Sequence, residues 1–142
     1  MVVERRYIGE KAKRVEDHRL LIGEARYLDD IKLPGMLHAV FIRSSYAHAK
    51  ILNISVDAAK KISGVYKIIT AKELSNNNVS DRLPLAFPSG LLHSSAMPKI
   101  LAENEVLYVG EPIAIILAKN RFIAEDAAAE VEVEDSPLDP IS

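Results

Sequence analysis

The chain alternates between short apolar runs and polar turns, a pattern typical of strands with short helices between them. Residues 36–43, MLHAVFIR, are apolar at both alternating sets of positions, which is typical of a strand covered on both faces. The Pro34–Gly35 pair supplies a turn before this run. We therefore expect a central strand there. A second strand, residues 51–56, places Leu52 and Ile54 on one face and leaves the other face wet.

Two short helical pieces are predicted after these strands. Asp57 is a candidate N-cap for a helix through Ile62, and Gly64 suits the left-handed position that ends a helix. Residues 65–70, VYKIIT, are rich in β-branched side chains and predict a return to the sheet. The segment Thr70–Glu73 has the spacing of a capping box, so a second helical turn should start there.

The middle of the chain predicts a loop and then a hairpin. Residues 75–98 contain three prolines and three consecutive asparagines, which indicate a long surface loop. Beyond it, residues 106–109 and 113–118 are strand-like runs separated by Gly-Glu-Pro. A spacing of this kind fits a tight antiparallel connection, so we expect the two runs to pair with each other.

The C-terminal part predicts the longest helix. Asn120 can cap a helix that runs through Glu130, and residues 131–134 alternate as a short last strand. An apolar stripe at spacings of three and four should face the sheet. It consists of Ile123, Ala124, Ala127, Ala128 and Val131. Together with a charged N-terminal arm, residues 1–23, and a single domain, residues 24–142, the pattern predicts an α+β fold with a mixed, mostly antiparallel sheet.

Composition narrows the classes of function. The 142 residues suffice for one core, and 18 basic against 20 acidic residues give a formal charge of −2 with the signs mixed, so we expect neither nucleic acid nor a membrane as a partner. The absence of cysteine excludes disulfides and thiolate-bound iron–sulfur clusters. No apolar run approaches the roughly 20 residues of a membrane span, and the charged N-terminus lacks a signal sequence. These features predict a cytoplasmic protein.

The side chains that could carry chemistry have structural interpretations. The four histidines are His18, His38, His48 and His93. None of the spacings between them is typical of a zinc site, and His38 is more simply a satisfied core residue. Arg43 and His48 flank a polar corner, where hydrogen bonding to backbone carbonyls is the simplest role. The alternative is that Arg43, Ser44 and His48 contact a partner domain.

Two further groups of side chains could suggest catalysis, but each has a simpler structural interpretation. The neighbouring carboxylates Asp29–Asp30 could suggest an acid–base pair or an ion site, but adjacent residues point apart and one aspartate more simply caps a turn. Ser44 and Ser45 lie near His48 in sequence, yet a serine nucleophile needs an oriented base and an oxyanion site. We therefore expect a turn-forming role for one of the two aspartates and no acyl transfer at Ser44 or Ser45.

Short motifs follow one another in a distinctive order along the chain. A glycine and a tyrosine precede two acidic residues, and a proline–glycine turn, an apolar strand and an arginine–serine corner ending in Ala-His-Ala come next. In this sequence these are Gly23, Tyr27, Asp29–Asp30, Pro34–Gly35, residues 36–42, Arg43–Ser44 and Ala47–Ala49. Later motifs are Gly64–Val65, residues 106–114 and Ala124–Ala127.

In order and spacing these motifs resemble the α/β-hammerhead domain that opens the large subunit of molybdenum hydroxylases, the family of xanthine dehydrogenase, aldehyde oxidase and aerobic carbon monoxide dehydrogenase. The resemblance runs nearly end to end and implies the hammerhead fold. The sequence departs from the family at Asp135, where members usually have tyrosine. We therefore expect different packing in the final strand.

The resemblance implies a role within a larger oxidoreductase. Such enzymes insert oxygen from water into a substrate at a molybdenum–pterin centre and pass electrons through iron–sulfur clusters to FAD or another acceptor. Molybdopterin, the clusters and FAD are implied for the complete assembly, whereas no catalytic, cofactor-binding or metal-binding residue is expected within these 142 residues. The resemblance implies as partners a molybdopterin-binding region or subunit, an iron–sulfur subunit and a flavin subunit.

Two functions remain open from the sequence. The first is a non-catalytic N-terminal domain, or separately encoded segment, of a hydroxylase large subunit that serves packing and subunit contacts. The second is a free-standing binding or scaffold protein that has kept the hammerhead fold without the catalytic region. In either case, apolar surface left by a missing partner predicts self-association.

Overall fold

The computed structural model describes residues 14–76, 80–83 and 97–139. The chain separates into two compact units, one up to Met36 and one from Leu37 onward. From residue 14 onward, the first unit contains helix α1, Asp17–Leu21, and a 3-10 turn, Leu28–Asp30. The arm boundary expected at residue 23 stays a prediction.

Within the described ranges, the second unit contains two three-stranded antiparallel sheets. The first has the order β1-β5-β3, with β1 at His38–Arg43, β3 at Val65–Thr70 and β5 at Pro112–Ala118. The second has the order β4-β2-β6, with β2 at Ala49–Ser55, β4 at Glu105–Val106 and β6 at Glu132–Pro137. Helices α2, α3 and α4 span Asp57–Lys60, Ala71–Asn76 and Arg121–Ala129. The mostly antiparallel α+β fold is confirmed.

Helix α4 packs on the first sheet as its sequence predicts. The Asn120 side chain accepts a hydrogen bond from the Ile123 amide at 2.8 Å, which fixes the start of the helix. Ala124 and Ala127 are fully buried, and their small size lets the helix approach β1 and β5 closely. The core formed here, the helix core, comprises Ala59, Ile68, Ile116, Ala118, Ala124 and Ala127.

A second cluster, the corner core, lies at the other sheet. It comprises Ala49, Ala102, Val106 and Ile113. Ile42 is half-buried and packs against both clusters. The two cores are therefore adjacent layers of one unit.

The prediction that residues 36–43 form a central strand is wrong. β1 lies at the edge of its sheet, and β5 is the central strand. Half-buried and exposed residues alternate along β1, and Phe41 on its outer side is 42% exposed. An apolar residue on an exposed face looks the same in sequence as one on a covered face, which explains the error.

The predicted hairpin between residues 106–109 and 113–118 is also wrong. β4 pairs with β2 in the second sheet, whereas β5 pairs with β1 and β3 in the first. Residues 107–111 connect the sheets through an irregular loop in which Gly110 has φ +88°. Bonds from other parts of the chain, which the local pattern does not reveal, fix this loop.

The face assignment for the second strand fails because of a bulge. The pairing of β2 with β6 shifts between Ile51 and Asn53. Consequently Ile51 and Ile54 both pack on the corner core, while Leu52 is 59% exposed. An inserted residue changes which side chains share a face.

The remaining boundaries agree in part with the prediction. Helix α2 begins at Asp57 itself, with Val56 as the N-cap, and ends at Lys60, before the predicted Ile62. Gly64 has the predicted left-handed conformation, with φ +94°. Helix α3 starts at Ala71 as expected and extends to Asn76. Much of the predicted loop 75–98 lies outside the described residues.

Candidate functional site

The candidate site is the polar corner that follows β1, defined by Arg43, Ser44, His48, Glu105 and Glu111. It contains all three residues singled out from the sequence and two that sequence reasoning did not select. The corner lies where the chain passes between the two sheets. The geometry of these side chains decides whether the corner could catalyse a reaction or only holds segments of the chain together.

Arg43 and Ser44 connect the end of β1 to the 107–111 loop. The Arg43 Nη1 atom donates to the Gly110 carbonyl at 2.8 Å, and its guanidinium lies 5.2 Å from the centre of the Phe41 ring. The Gly110 amide donates to the Ser44 carbonyl at 2.8 Å, and the Ser44 amide donates to the Glu111 carbonyl at 2.9 Å. Three bonds between the same two segments fix the loop against the strand.

The Ser44 hydroxyl is committed to a local turn. Its Oγ accepts from the Tyr46 amide at 3.0 Å and lies 3.1 Å from the Tyr46 carbonyl, to which the hydroxyl donates. Ser44 is buried. Because the hydroxyl proton is directed to a carbonyl and not to a basic side chain, this arrangement does not activate the serine as a nucleophile. The Ser44 hydroxyl therefore stabilises the turn over residues 44–46.

Glu111 holds the loop from within. It is only 4% exposed, and its Oε2 accepts a hydrogen bond from the Leu107 amide at 2.5 Å. Its own amide donates to the Tyr108 carbonyl at 3.2 Å. Sequence reasoning noted Glu111 only as part of a Gly-Glu-Pro turn. A glutamate between two apolar runs was the available signal, since a buried carboxylate needs a partner.

His48 connects three segments of the chain. Its Nδ1 lies 2.6 Å from the Asp139 carbonyl, and its Nε2 lies 2.5 Å from Oε1 of Glu105. The side chain is 11% exposed. A carbonyl and an ionised carboxylate both accept, so both ring nitrogens must donate, which favours the imidazolium form. The Asp139 carbonyl, followed by the Glu105 side chain, raises the pKa of His48 above its usual value of 6.5.

The hydrogen bonds of the polar corner are directed inward. The backbone-bonding role expected for Arg43 and His48 is confirmed, because each donates to a carbonyl. A direct contact of Arg43, Ser44 or His48 with a partner stays a prediction. Among the described residues, no three His, Cys, Asp or Glu side chains cluster as a metal-ion site would require. The corner therefore joins segments, and its geometry supplies no set of reacting groups.

The other sequence candidates are two aspartates and three histidines. Asp30 Oδ2 accepts from the Tyr27 amide at 2.9 Å, which confirms the turn role for one of the two neighbouring aspartates. His18 is exposed on α1, and His38 is only half-buried at the start of β1, so it is not the core residue expected. His93 lies outside the described residues.

Asp135, where the sequence departs from the family pattern, lies in β6 opposite Ile51. Its Oδ1 atom is buried and has no hydrogen-bond partner among the described residues. Burial raises the pKa of this carboxyl above its ordinary value. A carboxylate therefore occupies a place that suits a less polar side chain better.

The fold and sequence match known oxidoreductase chains. The chain is 40% identical to the carbon monoxide dehydrogenase large chain of Afipia carboxidovorans over 92% of its length, but spans only 15% of that relative. It is 36% identical to the nicotine 6-hydroxylase large subunit of Paenarthrobacter nicotinovorans over 98% of its length, and spans 17% of it. Quinoline 2-oxidoreductase from Pseudomonas putida 86 superimposes with a TM-score of 0.77 at 33% identity, over 96% of this chain and 17% of that one.

These matches define the class as a domain of oxidoreductase large subunits. Residues 22–139 match the family described as aldehyde oxidase and xanthine dehydrogenase, a/b hammerhead domain. The chain belongs to this family and has its hammerhead fold. It covers about one sixth of the length of the relatives named above. None of the helices within the described ranges is both long and apolar enough to cross a membrane.

Proposed function

We propose that this chain is a non-catalytic N-terminal domain, or separately encoded segment, of the large subunit of a molybdopterin-dependent hydroxylase or dehydrogenase. One observation carries the proposal: 92% of the chain aligns at 40% identity with a large chain of which it covers only 15%. An alignment that covers nearly all of this chain but only a small part of the relative is what we expect when this chain corresponds to a single domain of a larger subunit.

The chemistry of the residues agrees with a role in packing. Without cysteine the chain cannot ligate an iron–sulfur cluster through thiolates. The charged and hydroxyl groups of the polar corner bond to other groups of the same domain. Molybdopterin, iron–sulfur clusters and FAD would therefore be bound elsewhere in the assembly, and we assign no residue of this chain to them.

We further propose that a sheet face and the N-terminal arm contact the molybdopterin-binding region or the iron–sulfur subunit, with a flavin subunit as a more distant partner. Exposed apolar side chains support this, because they lose their contact with water when a partner covers them. Large examples in the second unit are Tyr66 and Phe122. In the first unit, Val15 and Leu21 of the arm are more exposed still, at 95% and 86%.

Affinity purification from the native cells tests the proposal. The tagged chain should co-purify with a larger polypeptide, molybdenum and iron, as measured by intact mass and elemental analysis. A tagged Ile116→Asp variant, whose buried charge should prevent folding, is the control for binding through the tag. Recovery of the chain alone and without metal would contradict the proposal and favour the free-standing binding module.

Genome context gives an independent check. An open reading frame directly downstream that begins with the missing large-subunit region would support a separately encoded segment. The absence of such a frame, together with recovery of the chain alone, would support the binding module.

A further inference from the structure

The 107–111 loop exposes three large apolar side chains in a row. Leu107, Tyr108 and Val109 are 61%, 47% and 65% exposed, and we call them the apolar tip. Single exposed apolar residues are ordinary on protein surfaces. Three consecutive ones on one loop form a continuous patch, which is typical of an interaction site.

The conformation of the tip is fixed in advance. The Glu111 carboxylate accepts from the Leu107 amide, the Tyr108 carbonyl accepts from the Glu111 amide, and Arg43 bonds to Gly110. A loop whose backbone is bonded in this way loses little conformational freedom when it binds, which favours affinity. The buried acid therefore serves to present the apolar side chains.

A groove of about 540 Å³ adjoins the tip, and Leu107 and Tyr108 form part of its wall. The charged residues of the groove are Arg82, Lys99, Glu105 and Glu111. An apolar centre with a polar surround is the usual anatomy of a specific protein interface. The groove and tip together offer a concave and a convex surface to the same partner.

The end of the domain lies beside this surface. The family match stops at residue 139, and the carbonyl of Asp139 is bonded to His48. The other ring nitrogen of His48 bonds to Glu105, two residues before Leu107. Polypeptide that continues after residue 139 therefore starts close to the tip.

We propose that the apolar tip docks on an apolar surface of the large-subunit polypeptide that lies outside the hammerhead domain. This inference rests on the proposed function and specifies the contact surface. Most of each relative lies outside the matched part, since this chain spans only 15–17% of the relatives compared above. The nearby domain end favours that polypeptide over the iron–sulfur subunit as the occupant.

A matched pair of variants tests the surface in the complex purified from native cells. Leu107→Ser combined with Val109→Ser should reduce the co-purified large-subunit polypeptide by about tenfold or more, because interface anchors carry most of the binding energy. Leu52→Ser is the control, since Leu52 is 59% exposed against 61% for Leu107. It should change recovery by less than about twofold. Thermal unfolding of each purified variant verifies that it folds.

The outcomes separate this inference from the proposed function. Full recovery with the tip variant, or an equal loss with Leu52→Ser, would overturn the inference and leave the proposed function intact. Failure of the wild-type chain to recover any large-subunit polypeptide would contradict the proposed function itself.

A photo-crosslinker placed at Val109 identifies the occupant directly. Crosslinked peptides from large-subunit polypeptide outside residues 1–142 are expected. Crosslinks to an iron–sulfur subunit, to a second copy of this chain or to residues 84–96 of the same chain would overturn the inference.

Discussion

The helix core and the corner core of the second unit are stabilised by different kinds of interaction. The helix core consists of small and β-branched apolar residues from a helix, a central strand and their neighbours. The corner core is smaller, and the polar corner beside it is held by bonds between side chains and backbone. Burial of apolar surface dominates the first, whereas directed hydrogen bonds determine the shape of the second.

The two regions therefore have different roles: the helix core determines the stability of the domain, and the polar corner determines the conformation of the exposed 107–111 loop. Apolar packing tolerates small shifts and depends mainly on volume, so the helix core fixes whether the domain folds. Hydrogen bonds depend on direction and therefore impose one geometry. The polar corner thus determines the conformation in which the 107–111 loop is exposed to solvent. We therefore expect changes in the helix core to alter the free energy of unfolding most, and changes in the corner to alter local order.

The largest effect is expected for Ile116→Ala in the central strand. Ile116 is fully buried, so its truncation should lower the free energy of unfolding by about 2–5 kcal/mol. Denaturation in urea measures the change, with Leu52→Ala on the exposed part of β2 as the control. A loss for Ile116→Ala no greater than that of the control would contradict the role of the helix core.

Glu111→Ala tests whether the buried Glu111 side chain holds the 107–111 loop in place. Loss of the hydrogen bond to the Leu107 amide should cost about 1.5–3 kcal/mol and speed hydrogen exchange across residues 107–109. Glu111→Gln keeps an acceptor oxygen, so its effect should be smaller. Equal exchange in the alanine variant and the wild type would show that the carboxylate does not hold the loop.

Gly64, beside the helix core, and Gly110, in the 107–111 loop, both have left-handed backbones, so the same substitution can be compared in the two regions. An alanine at either position meets a strained φ, which costs about 1–2 kcal/mol. At Gly64 the added Cβ would also lie 2.8 Å from Cδ1 of Ile123, whereas at Gly110 it would meet no atom within 4 Å. Gly64→Ala should therefore destabilise the domain more than Gly110→Ala, by up to about 1 kcal/mol, because the end of Ile123 can move. The reverse order in urea denaturation would contradict this account.

The helix core is the part that the sequence predicts well. The cap at Asn120 and the alanine spacing of α4 depend on residues close together in the chain, so the local pattern contains the information. The left-handed Gly64 follows for the same reason. Family resemblance added the overall fold, which the periodicity alone left as an α+β arrangement.

The polar corner could not be derived in the same way. Its bonds join residues 43–48, 105–111 and 139, and no local pattern specifies such pairings. The error in pairing residues 106–109 with 113–118 has the same origin, because the loop between them is fixed by Ser44. The bulge at Leu52 depends on the register with β6, which is likewise a long-range property.

A smaller effect is expected at Asp135, where the sequence signalled a departure. Burial raises the pKa of this carboxyl, so its ionised form destabilises the fold above that pKa, and the penalty is relieved as the pH falls through it. Asp135→Asn should therefore raise the free energy of unfolding at about pH 7 by up to about 1 kcal/mol, since Asp135 is only half-buried. The gain should shrink as the pH falls through the raised pKa of Asp135. A gain that is independent of pH would point to a cause other than the charge.

The smallest effect is expected at His48, where the corner meets the end of the domain. Its pKa is raised in the folded state, so the stability it contributes is fully present below about pH 6.5 and is lost as the pH rises through the folded pKa. Titration of the His48 ring by NMR should give a pKa above 6.5, and Glu105→Gln should lower it. In His48→Gln the pH-dependent part of the stability should disappear while the fold remains. A measured pKa at or below 6.5 would mean that the ring does not hold both acceptors at once, and that the end of the domain is not fixed beside the apolar tip.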